Sequence, residues 1–294
     1  MAVACVIGAA GRMGAWFATF LKRNDHQVIV SDRNRSAARN LARKNGFRFV
    51  EDYAQAVPLA DLVILATPTK VTEGVLEQIE PHISAGSLIV EISSVKDPLK
   101  RTLQTMRRRG VAILSIHPMF GPGVKNLAGK TVLAVTLPRA NRNAKKFLSI
   151  FRKRGVRLIQ CTLDEHDRLA SILLALPHFI NIAMVNALRS LGVDPNRLRE
   201  TAGTTFRLQL LTAQAICQED FGNEVSILMD NRYSLNTLTK FAEQSAATLN
   251  LIRKRSRSSM LRLLGNSRGF LERDKLFASA YTRFNAAVEA SSFG

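Results

Sequence analysis

One stretch near the start of the chain decides the fold: Val3-Ala4-Cys5-Val6-Ile7-Gly8-Ala9-Ala10-Gly11-Arg12-Met13-Gly14. Its first five residues are apolar and predict a short buried strand. From Met13 onward, apolar side chains recur at helical spacing and predict a helix that ends near Lys22. A second apolar run, residues 27–31, ends at Asp32. The pattern is therefore a strand, a glycine-rich turn, a helix and a second strand, which is typical of a dinucleotide-binding unit.

The three glycines of the turn have separate physical roles. Gly8 allows a tight turn, Gly11 lets the backbone approach a pyrophosphate, and Gly14 lets the helix pack closely on the strand. The following helix presents unpaired N–H groups and the positive end of its dipole to the phosphates, so Arg12 and Met13 are also predicted to contact the cofactor. The spacing is G-x-x-G-x-x-G, which is less common than G-x-G-x-x-G.

The acid at the end of the second strand points to the cofactor's ribose. Asp32 would accept hydrogen bonds from an adenosine ribose diol, which favours NAD and repels a 2′-phosphate. Arg33 and Arg35 follow closely and could instead hold that phosphate. We expect NAD, with NADP as the alternative.

Strands and helices continue to alternate up to about residue 162. The predicted strands are Arg48–Val50, Asp61–Ala66, Ser87–Ile92, 111–114, 131–137 and 156–159. The predicted helices between them are 36–45, 69–82, 97–109 and 141–154. This alternation predicts a doubly wound Rossmann-type parallel sheet. Thr67 and Pro68 follow one strand directly, at a position that lies beside the cofactor in such folds.

The pattern changes after residue 162. Apolar positions recur at helical spacing through 164–191, 196–230, 232–264 and 270–290, with no convincing strand. We therefore predict an α/β fold in which the N-terminal sheet domain, residues 1–162, is followed by an all-helical domain, residues 163–294. Helical apolar patterning over this length is more than a small domain needs, which favours a homodimer.

Polar residues follow two of the predicted strands. Ser94 and Lys96 come after residues 87–92, and His117 comes after the apolar run 111–114. Ligands bind at the carboxyl ends of strands in open parallel sheets, and imidazole is a suitable base near neutral pH. His117 is therefore a candidate catalytic base, although a histidine before a proline can also be an ordinary loop residue.

The composition bounds the class of protein. The chain has 42 Lys and Arg against 23 Asp and Glu, giving a net charge of +19 that is spread over both halves. The charge alone would suit a nucleic-acid partner, but there is no zinc-finger spacing or aromatic RNA-binding strand, and we expect a small anionic substrate instead.

The three cysteines are scattered, so we expect neither disulfides nor a metal site. With no signal peptide and no apolar run of about 18–20 residues, we expect a cytoplasmic protein that does not span a membrane.

Several motifs together resemble the prephenate/arogenate dehydrogenase family of tyrosine biosynthesis. They are the G-x-x-G-x-M-G turn, Ser94-Val95-Lys96, His117-Pro118-Met119-Phe120-Gly121-Pro122, Glu165-His166-Asp167-Arg168 and Leu176-Pro177-His178-Phe179. The resemblance implies hydride transfer from a cyclohexadienol to NAD(P) as the ring loses CO2. It also implies a homodimer formed through the helical half.

The resemblance also implies roles for single residues. His117 is implied as the catalytic base, and Ser94 as a hydrogen-bond partner of its imidazole or of the substrate hydroxyl. Lys96 is implied as a source of positive potential beside cofactor or substrate, and we expect it to bind the substrate. The motif that contains His178 implies that this histidine lines the substrate pocket. We expect His166 to be structural, capping or orienting the start of its helix.

The sequence departs from the family at one position that matters. Eight residues after Arg207 the family has an arginine that binds a substrate carboxylate, and this chain has Ala215. Alanine cannot replace a bidentate guanidinium. We expect Arg207 to bind the substrate carboxylate in place of the missing arginine. The alternatives are that another basic residue does so, that the substrate is a different cyclohexadienyl or hydroxy acid, or that the protein binds a cofactor without turnover. We expect any regulation to use the catalytic body or a separate partner.

Overall fold

The computed structural model describes residues 2–135 and 142–291. Their contacts define two compact units. The first, here called the sheet unit, comprises the chain up to Ser171 together with Phe221–Tyr233. The second, the helical unit, comprises Ile172–Asp220 and the chain from Ser234 onward. The segments 163–171 and 221–233 thus pack with the sheet, and a functional boundary after residue 162 stays a prediction.

One sheet of eight strands organises the sheet unit. The strands are β1 (Val3–Ile7), β2 (Gln27–Ser31), β3 (Arg48–Phe49), β4 (Leu62–Leu65), β5 (Leu88–Glu91), β6 (Ile113–Pro118), β7 (Thr131–Val135) and β8 (Arg157–Cys161). Their order in the sheet is β3-β2-β1-β4-β5-β6-β7-β8. All neighbours are parallel except β6 and β7, which are antiparallel. This confirms the predicted doubly wound, mostly parallel fold.

Helices follow most strands and fill the rest of the chain. They are α1 (Arg12–Lys22), α2 (Arg35–Asn45), α3 (Thr69–Ile79), α4 (Lys100–Arg108), α5 (Arg142–Arg152), α6 (Leu163–Ala170), α7 (Leu176–Ser190), α8 (Pro195–Thr201), α9 (Thr204–Cys217), α10 (Phe221–Val225), α11 (Ser234–Arg253), α12 (Arg257–Leu271) and α13 (Ala280–Ala290). Strands are confined to the sheet unit in the described part of the chain. The end of the predicted strand 131–137 and the first residue of the predicted helix 141–154 lie outside the described residues.

The core of the sheet unit lies on both faces of the sheet. Along β1, Ala4 and Val6 pack into one apolar cluster, and Cys5 and Ile7 pack into the other. Successive side chains of a strand point to opposite faces, so a strand covered by helices on both sides must be apolar throughout. This explains why the sheet strands read as unbroken apolar runs.

The long helical run that starts at Leu163 differs from one expectation. The segment Leu163–Ser190 is long and apolar enough to cross a membrane by length and composition, so the prediction that no segment has these properties is wrong. Its middle turn, Ser171–Ala175, is a π-helix, and Pro177 lies in the first turn of α7. Only about a fifth of its most apolar stretch is buried, and exposed Ile172 and Leu173 belong to that stretch.

Candidate active site

The glycine-rich turn forms a close backbone contact between β1, α1 and β4. Gly8 has a φ of +82°, and a Cβ there would lie 2.6 Å from the carbonyl oxygen of Ala66. A Cβ on Gly14 would overlap the carbonyl oxygen of Gly8. Helix α1 begins after Gly11, whose backbone is extended and which provides no capping side chain. The N–H groups of the turn, residues 8–11, bond within the sheet unit and hold the turn in place. The N-terminus of α1, which follows without a capping side chain, fits the pyrophosphate of a dinucleotide.

The acid at the end of β2 lies directly beside this turn. The Asp32 carboxylate accepts the backbone N–H of Ala10 at 2.9 Å with one oxygen and that of Asn34 at 2.8 Å with the other. Arg33 is exposed, and Arg35 lies 3.3 Å from Glu51. The structure therefore brings the predicted acid and the glycine turn together, and these residues fit the adenosine ribose of such a cofactor.

Two more predicted cofactor residues follow β4. Thr67 is half-buried, and its hydroxyl lies 2.9 Å from the hydroxyl of Thr72 in α3. Pro68 is the residue before the first turn of α3. The backbone of Gly8 closely approaches Ala66 and Thr67, which places this strand end beside the glycine turn. Contact between Thr67 or Pro68 and a cofactor stays a prediction.

The imidazole of His117 lies at the centre of the sheet unit's polar cluster. His117 is on β6, opposite Leu133 of β7, and its side chain is buried. Its Nδ1 lies 2.9 Å from Nε2 of His166, which α6 carries to this point. The two rings are tilted by 43° with their centres 5.1 Å apart. The first hydrogen-bond partner of the candidate base is thus another histidine.

The second histidine is held in turn by a buried carboxylate. Nδ1 of His166 lies 2.7 Å from Oδ1 of Asp167. The same carboxylate accepts the backbone N–H of Lys96 at 2.9 Å and that of Asp97 at 2.6 Å. Asn231 donates its side-chain amide to the backbone carbonyl of Asp167 at 2.8 Å. His117, His166 and Asp167 therefore form a continuous hydrogen-bonded chain, here called the histidine relay.

His166 does not cap its helix, and whether it orients the start of the helix stays a prediction. The cap of α6 is formed by Thr162 and Glu165, which exchange side-chain and backbone hydrogen bonds in a capping box. His166 is fully buried and faces His117 instead. The adjacent Glu-His-Asp motif marked this segment as unusual, but residues 117 and 166 are 49 positions apart, and no sequence spacing connects them.

Lys96 is buried in the interior of the sheet unit, next to Glu91. Its ammonium is completely buried, 2.7 Å from Oε1 of Glu91, and it donates to the carbonyl of Ile116 at 2.8 Å. The other Glu91 oxygen accepts the backbone N–H of Ser93. The charge of Lys96 is thus paired with Glu91 inside the fold, and a contact between Lys96 and the substrate stays a prediction. The positive charge of Lys96 contributes to lowering the pKa of His117.

Burial and these charges keep both imidazoles neutral. Burial, followed by His166 and Lys96, holds the pKa of His117 well below its ordinary value of 6.5. Burial, followed by Lys96, lowers the pKa of His166 to about 3, and Glu91 opposes the shift. A neutral imidazole has a nitrogen that can accept a proton, so His117 is chemically competent as a base at neutral pH.

The other predicted site residues are placed as follows. Ser94 is half-buried beyond the end of β5 and makes no hydrogen bond to His117 among the described contacts, so its role stays a prediction. In the helical unit, His178 is half-buried on α7, and Nε of Arg207 donates to the carbonyl of Ala202 at 2.9 Å. Ala215 is exposed on α9. In the described ranges, no group of three or more His, Cys, Asp or Glu side chains could hold a metal ion.

Comparison with known families decides the relationship. The profile described as "Prephenate dehydrogenase, nucleotide-binding domain" matches residues 17–159, and "Prephenate dehydrogenase, dimerization domain" matches residues 162–266. This chain belongs to the prephenate dehydrogenase family. The resemblance read from the motifs is thereby confirmed.

Curated relatives are about a quarter identical to this chain over the residues that align. A probable arogenate/prephenate dehydrogenase of Methanocaldococcus jannaschii is 27% identical over 262 residues, which are 88% of this chain and 58% of the relative. The T-protein of Haemophilus influenzae is 25% identical over 234 residues, which are 78% of this chain and 56% of that protein. The chain thus spans less than two thirds of these relatives.

Solved structures share the fold. Prephenate dehydrogenase from Aquifex aeolicus, in complex with hydroxyphenyl propionate and NAD+, superposes with a TM-score of 0.77 at 18% identity, covering 93% of this chain and 99% of that one. Synechocystis arogenate dehydrogenase gives a TM-score of 0.68 at 19% identity, covering 92% and 99%. At these identities the likeness shows the architecture of a prephenate dehydrogenase, and the chemistry has to be argued from the residues.

Proposed function

We propose that this protein catalyses the NAD(P)-dependent oxidative decarboxylation of prephenate or arogenate. In that reaction the carbinol carbon would give up a hydride, for which the cofactor would supply the acceptor, as the ring loses CO2. The proton that the ring hydroxyl gives to the base returns to the oxygen once the ring is aromatic, which leaves a 4-hydroxyphenyl group. The observation that carries the proposal is a buried, neutral His117 in the same unit as a glycine turn and an acid that suit a dinucleotide.

His117 performs the proton step. Hydride departure is favoured when the neighbouring oxygen gains anionic character, so the base accepts or strongly hydrogen-bonds the hydroxyl proton. Burial serves this step because it keeps the imidazole neutral and excludes competing water. When bound, the nicotinamide supplies the acceptor for the hydride. The glycine turn and Asp32 would hold the pyrophosphate and ribose of that cofactor.

We propose NAD as the cofactor. Each Asp32 oxygen accepts one backbone N–H and keeps capacity for a further hydrogen bond, which a ribose diol can supply. The same negative charge disfavours a 2′-phosphate. The exposed Arg33 is the feature that would favour NADP, so the two cofactors must be compared directly.

The substrate proposal rests on relatives and on the remaining basic residues. The relatives are named for prephenate, for arogenate and, in the case of a Streptomyces pristinaespiralis protein 26% identical over 205 residues, for 4-amino-4-deoxyprephenate. With Ala215 in place of the family's arginine, we assign the substrate carboxylate to Arg207. His178 is assigned to the substrate because it lies in the Leu-Pro-His motif.

We also propose that the protein is a soluble, cytoplasmic homodimer formed through the helical unit. Within the described part of that unit, the buried apolar side chains are only Ala175 and Ala213. Large apolar residues remain exposed, including Leu235 (77%) and Tyr281 (78%). Such a unit lacks a core of its own, and a second copy can cover these faces. The match to a dimerization domain supports the same conclusion.

The test is reduction of the nicotinamide, followed by absorbance, with prephenate and with arogenate and with NAD and NADP in parallel. We expect turnover with at least one substrate and its loss in His117→Asn. The matched control is His82→Asn, since His82 is exposed on the surface. Cofactor binding without turnover of either substrate would leave a different substrate or a non-catalytic role.

A further inference from the structure

The positions of the atoms in the histidine relay determine which ring nitrogen of His117 carries the proton. A neutral imidazole has one protonated nitrogen and one with a lone pair, and only the latter can act as a base. His117 uses Nδ1 to contact His166, so the proton order along the relay determines whether Nε2 is free to accept.

The far end of the relay fixes that order. Both oxygens of Asp167 accept backbone N–H groups, Oδ1 from Lys96 and Oδ2 from Asp97. These bonds, together with the nearby Lys96 and Arg232 charges, favour the ionised carboxylate, although burial raises the pKa of Asp167. An ionised carboxylate is an acceptor only, so the proton between Asp167 and His166 must belong to Nδ1 of His166.

The order then passes to the next ring. With Nδ1 of His166 protonated, its Nε2 has the lone pair and accepts a hydrogen bond. The partner at 2.9 Å is Nδ1 of His117, which must therefore carry a proton. That leaves the lone pair of His117 on Nε2. The reverse order would place a nitrogen lone pair 2.7 Å from a carboxylate oxygen, which is repulsive.

We propose that Asp167 and His166 are positioning residues that hold His117 in the tautomer protonated on Nδ1, so that Nε2 is the nitrogen that accepts the substrate's proton. The inference rests on the proposed dehydrogenase function for its consequence, but the tautomer itself is a property of the folded protein without ligands. The carboxylate also stabilises the positive charge that the relay gains when His117 is protonated.

The direct test is nitrogen-15 NMR of the histidine rings in the ligand-free protein, with His117 and His166 assigned from the spectra of His117→Gln and His166→Gln. We expect a protonated Nδ1 and a lone-pair Nε2 on both rings. A protonated Nε2 on His117 would overturn the proposal, whatever the activity. This measurement on the unaltered protein does not depend on how any variant of Asp167 folds.

The kinetic test is Asp167→Asn. An asparagine amide can donate to Nδ1 of His166, which reverses both tautomers and leaves His117 with a proton on Nε2. We expect kcat to fall about 10³- to 10⁴-fold, with KM and cofactor affinity nearly unchanged, by analogy with the loss of the orienting acid in a catalytic triad. Wild-type kcat in Asp167→Asn, or unchanged ring tautomers, would contradict the proposal.

The matched control is Asp164→Asn, the same change one turn earlier on α6. Asp164 pairs with Lys100 and Arg232 at the surface and does not touch the relay. We expect wild-type tautomers and near wild-type kcat. The outcomes also separate the two proposals. The expected tautomers without turnover of either substrate would uphold the relay and reject the function, whereas turnover with a reversed tautomer would reject the relay alone.

Discussion

At the residue scale, burial keeps the two imidazoles of the site neutral and makes the stability of the fold depend on pH. His166 has a folded-state pKa of about 3 against an ordinary value of 6.5, and the pKa of His117 is lowered in the same direction. Each imidazole therefore takes up a proton on unfolding below pH 6.5 that it does not bind when folded. The two histidines do not lower the free energy of unfolding well above pH 6.5, and they lower it progressively as the pH falls toward 3.

This gives a prediction for unfolding at two pH values. His166 should lower the free energy of unfolding by about 2 kcal/mol between pH 6.5 and about pH 5, at ~1.4 kcal/mol per pH unit, and His117 acts in the same direction. Urea unfolding of the wild type and His166→Gln would measure it. We expect the variant to lose one histidine's share of the dependence. The raised pKa of Asp167 works in the opposite direction in both proteins, and the difference between them reports His166 together with its effect on the pKa of His117. Equal pH dependence in the two would contradict the argument.

Two helical glycines allow a matched comparison at the same scale. A Cβ on Gly14 of α1 would overlap the Gly8 carbonyl, whereas a Cβ on Gly74 of α3 would meet nothing within 4 Å. Gly14→Ala should displace the glycine turn and abolish measurable dinucleotide binding. Gly74→Ala should stabilise the fold by about 0.5–1 kcal/mol, because alanine is the better helix former. Calorimetric cofactor titration and urea unfolding would measure both, and wild-type cofactor affinity in Gly14→Ala would refute the assigned role.

At the scale of elements, α6 matters because it delivers both His166 and Asp167 to β6. Its first turn is fixed by the capping box of Thr162 and Glu165, in which the carboxylate accepts the backbone N–H of Thr162 at 2.7 Å. Backbone bonds from the segment after β5 fix the other side of the helix through Asp167. The relay thus depends on how one helix end is docked against two strand ends of the same unit.

The cap of α6 gives an element-scale prediction. Thr162→Val removes the oxygen that accepts the Glu165 N–H and should cost about 1 kcal/mol of unfolding free energy. The control is Thr248→Val on α11, where the hydroxyl of a half-buried threonine donates to the carbonyl of Gln244 within the helix and caps nothing. There we expect a change within about 0.5 kcal/mol. Urea unfolding would compare the two, and equal effects would show that the capping box is unimportant.

At the scale of the whole molecule, the two units bury apolar residues very differently. The sheet unit has apolar clusters on both faces of its sheet. The described part of the helical unit buries only small apolar residues and leaves many large ones exposed, among them Leu261 and Phe270. Apolar exposure of that extent in water favours association. In the proposed dimer, a second copy of the chain covers these residues, and no lipid bilayer is needed to do so.

Association makes stability depend on protein concentration. If two copies cover the helical units of each other, the thermal unfolding midpoint should rise as the protein concentration is increased about a hundredfold. Sedimentation equilibrium should show twice the chain mass over the same range. A monomer with a concentration-independent midpoint would contradict the proposed dimer.

The sequence by itself determined the architecture and brought together the residues that we propose hold the cofactor. Gly8, Gly14 and Asp32 lie within one β-α-β unit, so local turn, helix and strand rules are enough to place them together. His117 was found in the same way, from its position after a buried strand. The apolar periods of 2 and 3.6 residues separated the sheet from the helical half, because burial on a strand and on a helix follow different geometry.

Only the tertiary structure decided what surrounds His117. His166 and Asp167 reach it from a helix 49 residues away, and Lys96 pairs with Glu91 in the interior. Sequence spacing carries no record of such contacts, because a hydrogen bond or ion pair depends on the distance between atoms, which packing sets. The proton order of the relay depends on those distances, and so the nitrogen with which His117 accepts a proton is a property of the folded chain.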